Sequence, residues 1–597
     1  MARTPSLSIS YDADRQEASI VGGGLSSWRH IRRLCLDWSD DCYSQSSEEI
    51  RMPWTGFLAV KRELFDLLVA AAEEEFVRFT GPAERLLEES VEQFDQYESP
   101  PKKVSQRVLL ETLKKKGFVR TLTKEQRRNV AKLVCRTAGA TFSVPGAGKT
   151  SEALAYYFFH KRPKSKLLVV APKNAFSAWE EQLLLCAPRS NLTVVRLRGP
   201  RNQVRNILDS GPDIMLVNYQ KLLNDKSIVA EFLASNECFM YLDESHHIKR
   251  WPPGQWGACV LSLSHLPVVK LIMTGTPLPN SRADLIPQFR FLYPEVQADE
   301  ADIVDKVAPV FVRTTKAELG LKPPKVTMIK LEMGSRQRQL YDLLRRNEAE
   351  SARKFVRTSD RNMLRSLGRS AMRMLQLTSN PALLAKNVHL FPEELRDLLL
   401  EGESPKIEYA CNRALELASQ GEKCVIWSAF VENVETISRR LRSIGADFIH
   451  GGVDAGSDEQ WDTREGKIRR FHDDDRAFVL VANPAACAEG ISLHTVCHNA
   501  IYVDRTYNAA QFLQSQDRIH RLGLPKNTST TIHILSCKDS VDNSVEARLG
   551  WKLRVMAEAL NDSSLHAEPI SEDVDASDYM SPADIQDFVD HLVSPDQ

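Results

Sequence analysis

The chain has 597 residues, 43% of them hydrophobic and 26% charged, with a formal net charge of −1; at about 150 residues to a domain this length needs roughly three or four cores. No apolar run approaches the roughly 18 residues of a membrane helix, the opening MARTPSLSIS has no apolar signal core, and the eleven cysteines include no CxxC pair, so a membrane span, a secreted disulfide scaffold and a structural zinc module are all set aside in favour of a reducing compartment. Residues 561–597 hold ten Asp or Glu and no Lys or Arg, and removing those ten charges leaves +9 on the rest. A basic body with an acidic tail fits either a nucleic-acid surface with a shielding segment or ordinary surface lysines with a solvated tail.

In chain order, residues 1–105 carry no chemical motif; DADR (12–15) predicts a hairpin and ELFDLLVAAAEEEFVRF (63–79) predicts helices. Within 106–315 short apolar runs alternate with helix-like segments: KLLVVAP (166–172), DIMLVNY (213–219), CFMYLDE (238–244) and KLIMTGTP (270–277). That alternation predicts a parallel sheet covered by helices. Residues 316–400, rich in arginine and leucine at helical spacing, read as a helical insertion. A second series lies within 401–560: KCVIWSAF (423–430), AFVLVAN (477–483), AIYVDR (500–505) and TIHILS (531–536). The acidic tail, 561–597, closes with SPADIQDFVDHLV (581–593), where Ser581 is placed to cap a helix and Pro582 to open it. Ile585, Phe588, Val589 and Leu592 then form one apolar stripe. A helix this short needs a partner surface, so the tail reads as a docking element or as a frayed terminus.

TFSVPGAGKT (141–150) nearly spells a phosphate-binding loop. In such a loop backbone N–H groups face phosphate oxygens, the lysine reaches the β and γ phosphates and the hydroxyl ligates magnesium. Gly146, Ala147, Gly148, Lys149 and Thr150 fill those places. Ser143 stands where the pattern begins with glycine, and a small residue at the loop's mouth suffices there if φ stays negative. DESH (243–246) closes an apolar run, at the strand end where α/β sheets bind ligands; Asp243 is placed to hold magnesium through water and Glu244 to orient or activate the attacking water. TGTP (274–277) closes another run. In QSQDRIHRLG (514–523), Arg518 and Arg521 fall at i, i+3 near one helical face; they read as fingers for a γ phosphate across a cleft between lobes or as exposed helix arginines.

With these motifs in this order, the chain resembles a Swi/Snf-type ATPase of helicase superfamily 2 over roughly residues 120–555. FVRTTKAELGLKPPK (311–325), SPKIEYA (404–410), CAEGISL (487–493) and QDRIHRLG (516–523) match in order and spacing. The resemblance implies an α/β fold of two RecA-like doubly wound lobes with a helical insertion and an N-terminal accessory domain, and ATP and Mg2+ as cofactors. It implies that Gln126 reads adenine and that Gly490 lies at the nucleotide. It further implies that Lys173 in APKNAFSAW (171–179) and Asn218 in LVNYQ (216–220) contact nucleic acid, and that TGTPLPN (274–280) couples the two activities. Two departures stand out: the family's acidic pair before the loop glycine is Val144 and Pro145, the latter lacking an N–H, and the glutamine after HRxG is Leu524.

Arg353, Arg357, Arg361, Arg365, Arg369 and Arg373 recur every four residues. On a single helix each step of four advances about 40°, so the six wind roughly 200° over about 30 Å. They form either a ridge that tracks backbone phosphates or a solvated face with leucines and methionines buried between. The expected activity is ATP-driven translocation along duplex DNA without strand separation; a strand-separating DNA or RNA helicase and an ATP-gated nucleic-acid clamp are the alternatives. Double-stranded DNA is the expected partner, with a protein partner at 1–105 or the acidic tail, and neither membrane nor structural zinc. A prokaryotic or viral setting implies a cytoplasmic, nucleoid-associated location, and a eukaryotic one the nucleus.

Overall fold

Each of the eight apolar runs forms a strand in the computed structural model, which describes residues 6–597 apart from 102, 250–252, 356–360, 388–403, 455–459, 488–491, 525–527, 563–564, 566–587, 590 and 593–597, with backbone alone for 350–355, 361–366, 385–387 and 487. The chain divides into two units, Met1–Leu278 with Arg282–Thr314 and Pro279–Ser281 with Thr315–Gln597.

The first unit opens with a mixed sheet. β1 (Ser6–Asp12) and β2 (Glu17–Gly23) pair antiparallel across the turn at DADR, where Asp12 Oδ1 accepts the N–H groups of Asp14 and Arg15 at 3.1 and 3.2 Å. β3 (Tyr43–Ser44) and β4 (Glu49–Pro53) extend the β2 side and β5 (Val77–Thr80) lies parallel to β1, giving the order β3-β4-β2-β1-β5. This block is bonded to the rest of the same unit. Gln93 Nε2 donates to the carbonyls of Pro267 and Val268, Tyr97 Oη donates to Lys306 O at 3.1 Å, Tyr11 Oη meets His265 Nε2 at 2.8 Å, and Lys61 pairs with Glu295 at 2.6 Å.

The second sheet of this unit is wholly parallel. Its strands are β6 (Ala138–Thr141), β7 (Lys166–Val170), β8 (Val194–Arg196), β9 (Ile214–Val217), β10 (Cys238–Asp243), β11 (Val269–Met273) and β12 (Phe311–Val312), in the order β12-β6-β11-β10-β7-β9-β8. All residues of β6, β9 and β11 are buried, as strands covered on both faces must be.

The second unit holds a six-stranded parallel sheet. β13 (Lys325–Leu331), β14 (Cys424–Trp427), β15 (Asp447–Ile449), β16 (Val479–Ala482), β17 (Asn499–Tyr502) and β18 (Thr531–Cys537) run in the order β13-β18-β17-β14-β16-β15. β13 falls inside the stretch expected to be helical. Val326 and Met328 pack into one core cluster, and Ile329 and Leu331 into another on the opposite side, so this edge strand contributes to both layers.

The arginine run does not share one helix. Helix Ser335–Phe355 carries Arg353 and a separate helix, Arg361–Ser379, carries Arg361, Arg365, Arg369 and Arg373; Arg357 lies outside the described residues. The second helix runs back along the first: Gln337 Nε2 donates to Leu377 O at 2.8 Å, and Arg373 pairs with Glu348 at 2.6 Å. The cause is apolar. Leu340, Tyr341 and Leu344 bury against the same core as Leu367, Ala371, Met374 and Leu375, which folding back into a hairpin brings together. Phe588, Val589 and Leu592 are buried in that cluster too, so the apolar stripe of the tail packs on the chain's own second unit; Ile585 lies outside the described residues. Among the described residues no helix is long and apolar enough to cross a membrane.

Candidate active site

The phosphate-loop sequence connects β6 to helix Lys149–His160. Gly146 and Gly148 both adopt φ +85°, the left-handed conformation that glycine takes without strain, and a Cβ at Gly148 would collide with the Gln126 amide. That amide is already engaged. Gln126 Nε2 donates to Ala147 O at 2.9 Å while Oε1 accepts the Thr123 N–H at 3.0 Å, closing a capping box with Thr123. Lys149 Nζ donates to Ser143 O at 3.0 Å, back across the loop.

Ser143 is not at the loop's mouth but fully buried. Its Oγ accepts the Thr314 N–H at 3.0 Å and lies 3.3 Å from Asn129 Nδ2 and 3.2 Å from Thr141 Oγ1. Asn129 Nδ2 also meets Thr314 Oγ1 at 2.9 Å and Glu152 Oε1 at 2.8 Å. Burial pushes the Glu152 carboxyl up to about 7 against the hydrogen bonds from Asn129 and Thr141. Glycine here would leave the buried Thr314 N–H without its acceptor. Thr314 O in turn accepts the Val144 N–H at 3.0 Å, which ties the loop to the strand beside it.

Asp243 ends β10 one strand away from β11 and two from β6. Its Oδ2 accepts Trp179 Nε1–H at 2.9 Å, its Oδ1 accepts the Glu244 N–H at 3.0 Å, and its carbonyl accepts the Tyr219 hydroxyl at 2.9 Å. Glu244 holds φ +48°, an uncommon conformation for a residue with a side chain and one that clusters at working sites. Its Oε2 is 3.3 Å from Thr274 Oγ1 and 3.4 Å from His246 Nδ1, and those two partners are 2.9 Å apart. Thr274 and Gly275 belong to TGTP. A Cβ on Gly275 would stand 2.9 Å from Pro145 Cδ, so glycine lets that segment lie directly on the phosphate loop.

Burial, then the neighbouring Glu244 charge, raises the Asp243 carboxyl. For Glu244, burial is outweighed by His246 and Lys149, and its carboxyl is lowered. Two adjacent carboxylates beside one lysine form a donor set suited to a divalent cation, which would relieve their repulsion. Thr150 is half-exposed at the helix start, next to Lys149.

The SNF2-related domain family matches residues 130–303, and the helicase conserved C-terminal domain family matches residues 405–523. The first covers the sheet that carries the phosphate loop and DESH, and the second covers most of the sheet of the other unit. The chain is a helicase-like ATPase with an SNF2-related domain and a helicase conserved C-terminal domain. It is similar to the ATP-dependent helicase/translocase YwqA of Bacillus subtilis, so named, at 24% identity over 71% of this chain and 46% of the relative. It is likewise similar to the ISWI chromatin-remodeling complex ATPase CHR17 of Arabidopsis thaliana, at 24% over 68% and 38%. The chain thus spans less than half the length of these relatives. A solved SWI2/SNF2 ATPase core of Sulfolobus solfataricus in complex with dsDNA aligns over 77% of this chain and 98% of that one, at 18% identity and TM-score 0.32.

In this helicase-like ATPase Gln126, Gly146, Ala147, Gly148, Lys149, Thr150, Asp243 and Glu244 all fall in the first unit, and Gly490 lies outside the described residues. Arg518 and Arg521 fall in the second unit, though not on a helical face: helix Ala509–Gln516 ends before them. Arg518 O accepts the Leu493 N–H at 2.8 Å and His520 Nε2 meets Lys322 O at 2.8 Å; those contacts hold the segment in turns. Lys173 is exposed just after β7, and Asn218 Oδ1 caps helix Tyr219–Asn224 by accepting the Lys221 N–H at 2.9 Å. Arg369 is exposed whereas Arg373 is committed to Glu348; the side chains of Arg353, Arg361 and Arg365 lie outside the described ones. Sequence reading missed Trp179, Tyr219, Asn129 and Thr314. Trp179, Tyr219 and Thr314 lie inside stretches matched to the family, and Asn129 left a signal of its own, three residues after Gln126 on the same buried helix face.

Proposed function

We propose that the chain hydrolyses ATP to move along duplex DNA without obligatory strand separation. The observation that carries this reading is the convergence on one sheet edge of the glycine-opened loop with Lys149, the Asp243–Glu244 pair, and Thr274–Gly275 lying against both. The family supplies the rest of the support, with relatives named helicase/translocase and chromatin-remodeling ATPase.

In this reading Lys149 releases Ser143 O to reach the β and γ phosphates, and the loop's N–H groups face phosphate oxygens. Thr150 and Asp243 hold magnesium, which when bound neutralises charge developing on the transferred phosphoryl group. Glu244, its carboxyl kept ionised by His246 and Lys149, orients the attacking water and takes up its proton. Arg518 and Arg521, both of the second unit, act on transition-state charge. Lys173 and Asn218 track the DNA backbone, aided by Arg369 and the other arginines of the run outside Arg373. The first test is ATP turnover with duplex DNA, single-stranded DNA and RNA in parallel. Stimulation by duplex above both others is expected; stimulation by RNA or single strands alone would overturn the choice of duplex.

A further inference from the structure

The metal-side carboxylate is held by groups that phosphoryl transfer does not itself require. Trp179 is 3% exposed, and its indole N–H is directed at Asp243 Oδ2 over 2.9 Å. Tyr219, 4% exposed, sends its hydroxyl to the carbonyl of the same residue, also at 2.9 Å. The Tyr219 ring is fixed in turn: its centroid lies 5.2 Å from that of His247 and 5.9 Å, stacked, from that of Trp256. Trp179 belongs to helix Phe176–Cys186, which continues directly from the short turn that begins at exposed Lys173. Tyr219 opens the helix that Asn218 caps. Lys173 is therefore linked through nearly two turns of helical backbone, and Asn218 through a single peptide bond, to a hydrogen bond on Asp243.

We infer that Trp179 and Tyr219 are positioning residues that make the Asp243 carboxylate, and through it ATP hydrolysis, respond to DNA held by Lys173 and Asn218. This rests on the DNA translocase reading. A hydrogen bond weakens steeply with angle and distance, so a small displacement of either segment on DNA changes how Asp243 is held. Neither side chain reaches solvent enough to bind DNA itself.

The test uses the full chain with Trp179→Phe and, separately, Tyr219→Phe, each of which keeps the ring and removes the donor. Three quantities are read: the ratio of duplex-stimulated to unstimulated ATP turnover, the nucleotide-free affinity for a fluorescent duplex, and, in a Glu244→Gln background, the shift that duplex produces in the affinity for Mg2+ with a fluorescent ATP analogue. The stimulation ratio is expected to fall about tenfold or to unity, and the affinity shift to shrink with it, as coupling between two sites is reciprocal, while duplex affinity stays within about threefold. A purely structural role lowers both turnover rates in parallel and leaves the ratio unchanged, which would overturn the inference. Loss of duplex affinity in step with the ratio would also overturn it, by making the residues DNA contacts. If Trp179→Phe fails to fold, Tyr219→Phe decides by the same ratio. A wild-type chain that no nucleic acid stimulates overturns the translocase reading and the inference together; a stimulated wild type with equally stimulated variants overturns the inference alone.

Discussion

Ser143 shows what a single position in the loop does and how little of it a pattern reveals. Its hydroxyl is the buried acceptor for Thr314 N–H and a neighbour of Asn129 and Thr141, so Ser143→Ala should destabilise the first unit by about 1–3 kcal/mol through an unpaired buried donor, seen as a lower midpoint in thermal unfolding. Ser143→Gly should do the same and add backbone freedom. For Lys149→Ala, loss of both nucleotide binding and turnover is expected. Glu244→Gln should retain ATP binding while turnover drops at least about 100-fold, as removal of a positioned carboxylate from phosphoryl transfer requires; equilibrium binding of a fluorescent ATP analogue beside steady-state turnover separates the two. The places of Lys149 at a helix start and of Asp243 and Glu244 at a strand end were legible in sequence because a phosphate loop and an acidic strand end are local patterns. The grip of Trp179 on Asp243 joins residues 64 apart along the chain, and no local pattern encodes it.

Among the elements, the eight short apolar runs were legible as strands because burial on both faces makes them nearly continuous. β6 was not. Its sequence AGAT is small rather than apolar, and it is a strand because β11 and β12 pair with its backbone on either side. The helix hairpin escaped detection because a four-residue arginine spacing describes one helix as readily as two, and only the Glu348–Arg373 pair and the shared apolar core decide. The two exposed-versus-paired arginines should therefore separate: Arg369→Glu weakens duplex binding and lowers its salt slope by about one unit, while Arg373→Ala leaves the slope unchanged and lowers stability, since Glu348 loses its partner. The tail makes a further test. Tyr341 Oη accepts the Val541 N–H at 2.7 Å and meets His591 Nε2 at 2.9 Å, while Arg345 donates to His591 O at 3.1 Å. Burial and then Arg345 push the His591 pKa down to about 4, against a weaker opposing effect of Asp542, so the docked ring is neutral near pH 7. With the docked value below the usual 6.5, docking is at full strength above pH 6.5 and weakens as pH falls towards 4. Hydrogen exchange at residues 588–592 should rise on going from pH 7.5 to pH 5 after correction for intrinsic rates, and His591→Phe should flatten that rise.

For the whole molecule, the sequence predicted two parallel-sheet lobes, and the family matches fall within those two regions. Residues 1–105 were legible only as a block without chemistry; their sheet and their bonds to Glu295, His265 and Pro267 depend on long-range pairings. Lys61→Ala should accordingly lower the stability of the first unit, measured by thermal unfolding, by leaving the mostly buried Glu295 without its cation. The most direct test of the central claim is displacement of a third strand from a DNA triplex beside displacement of one strand from a forked duplex, both with ATP and with Glu244→Gln as the control. Translocation without strand separation predicts ATP-dependent release of the triplex strand by the wild type alone and no unwinding of the fork. Fork unwinding, or a triplex left intact at saturating ATP and protein, would contradict it.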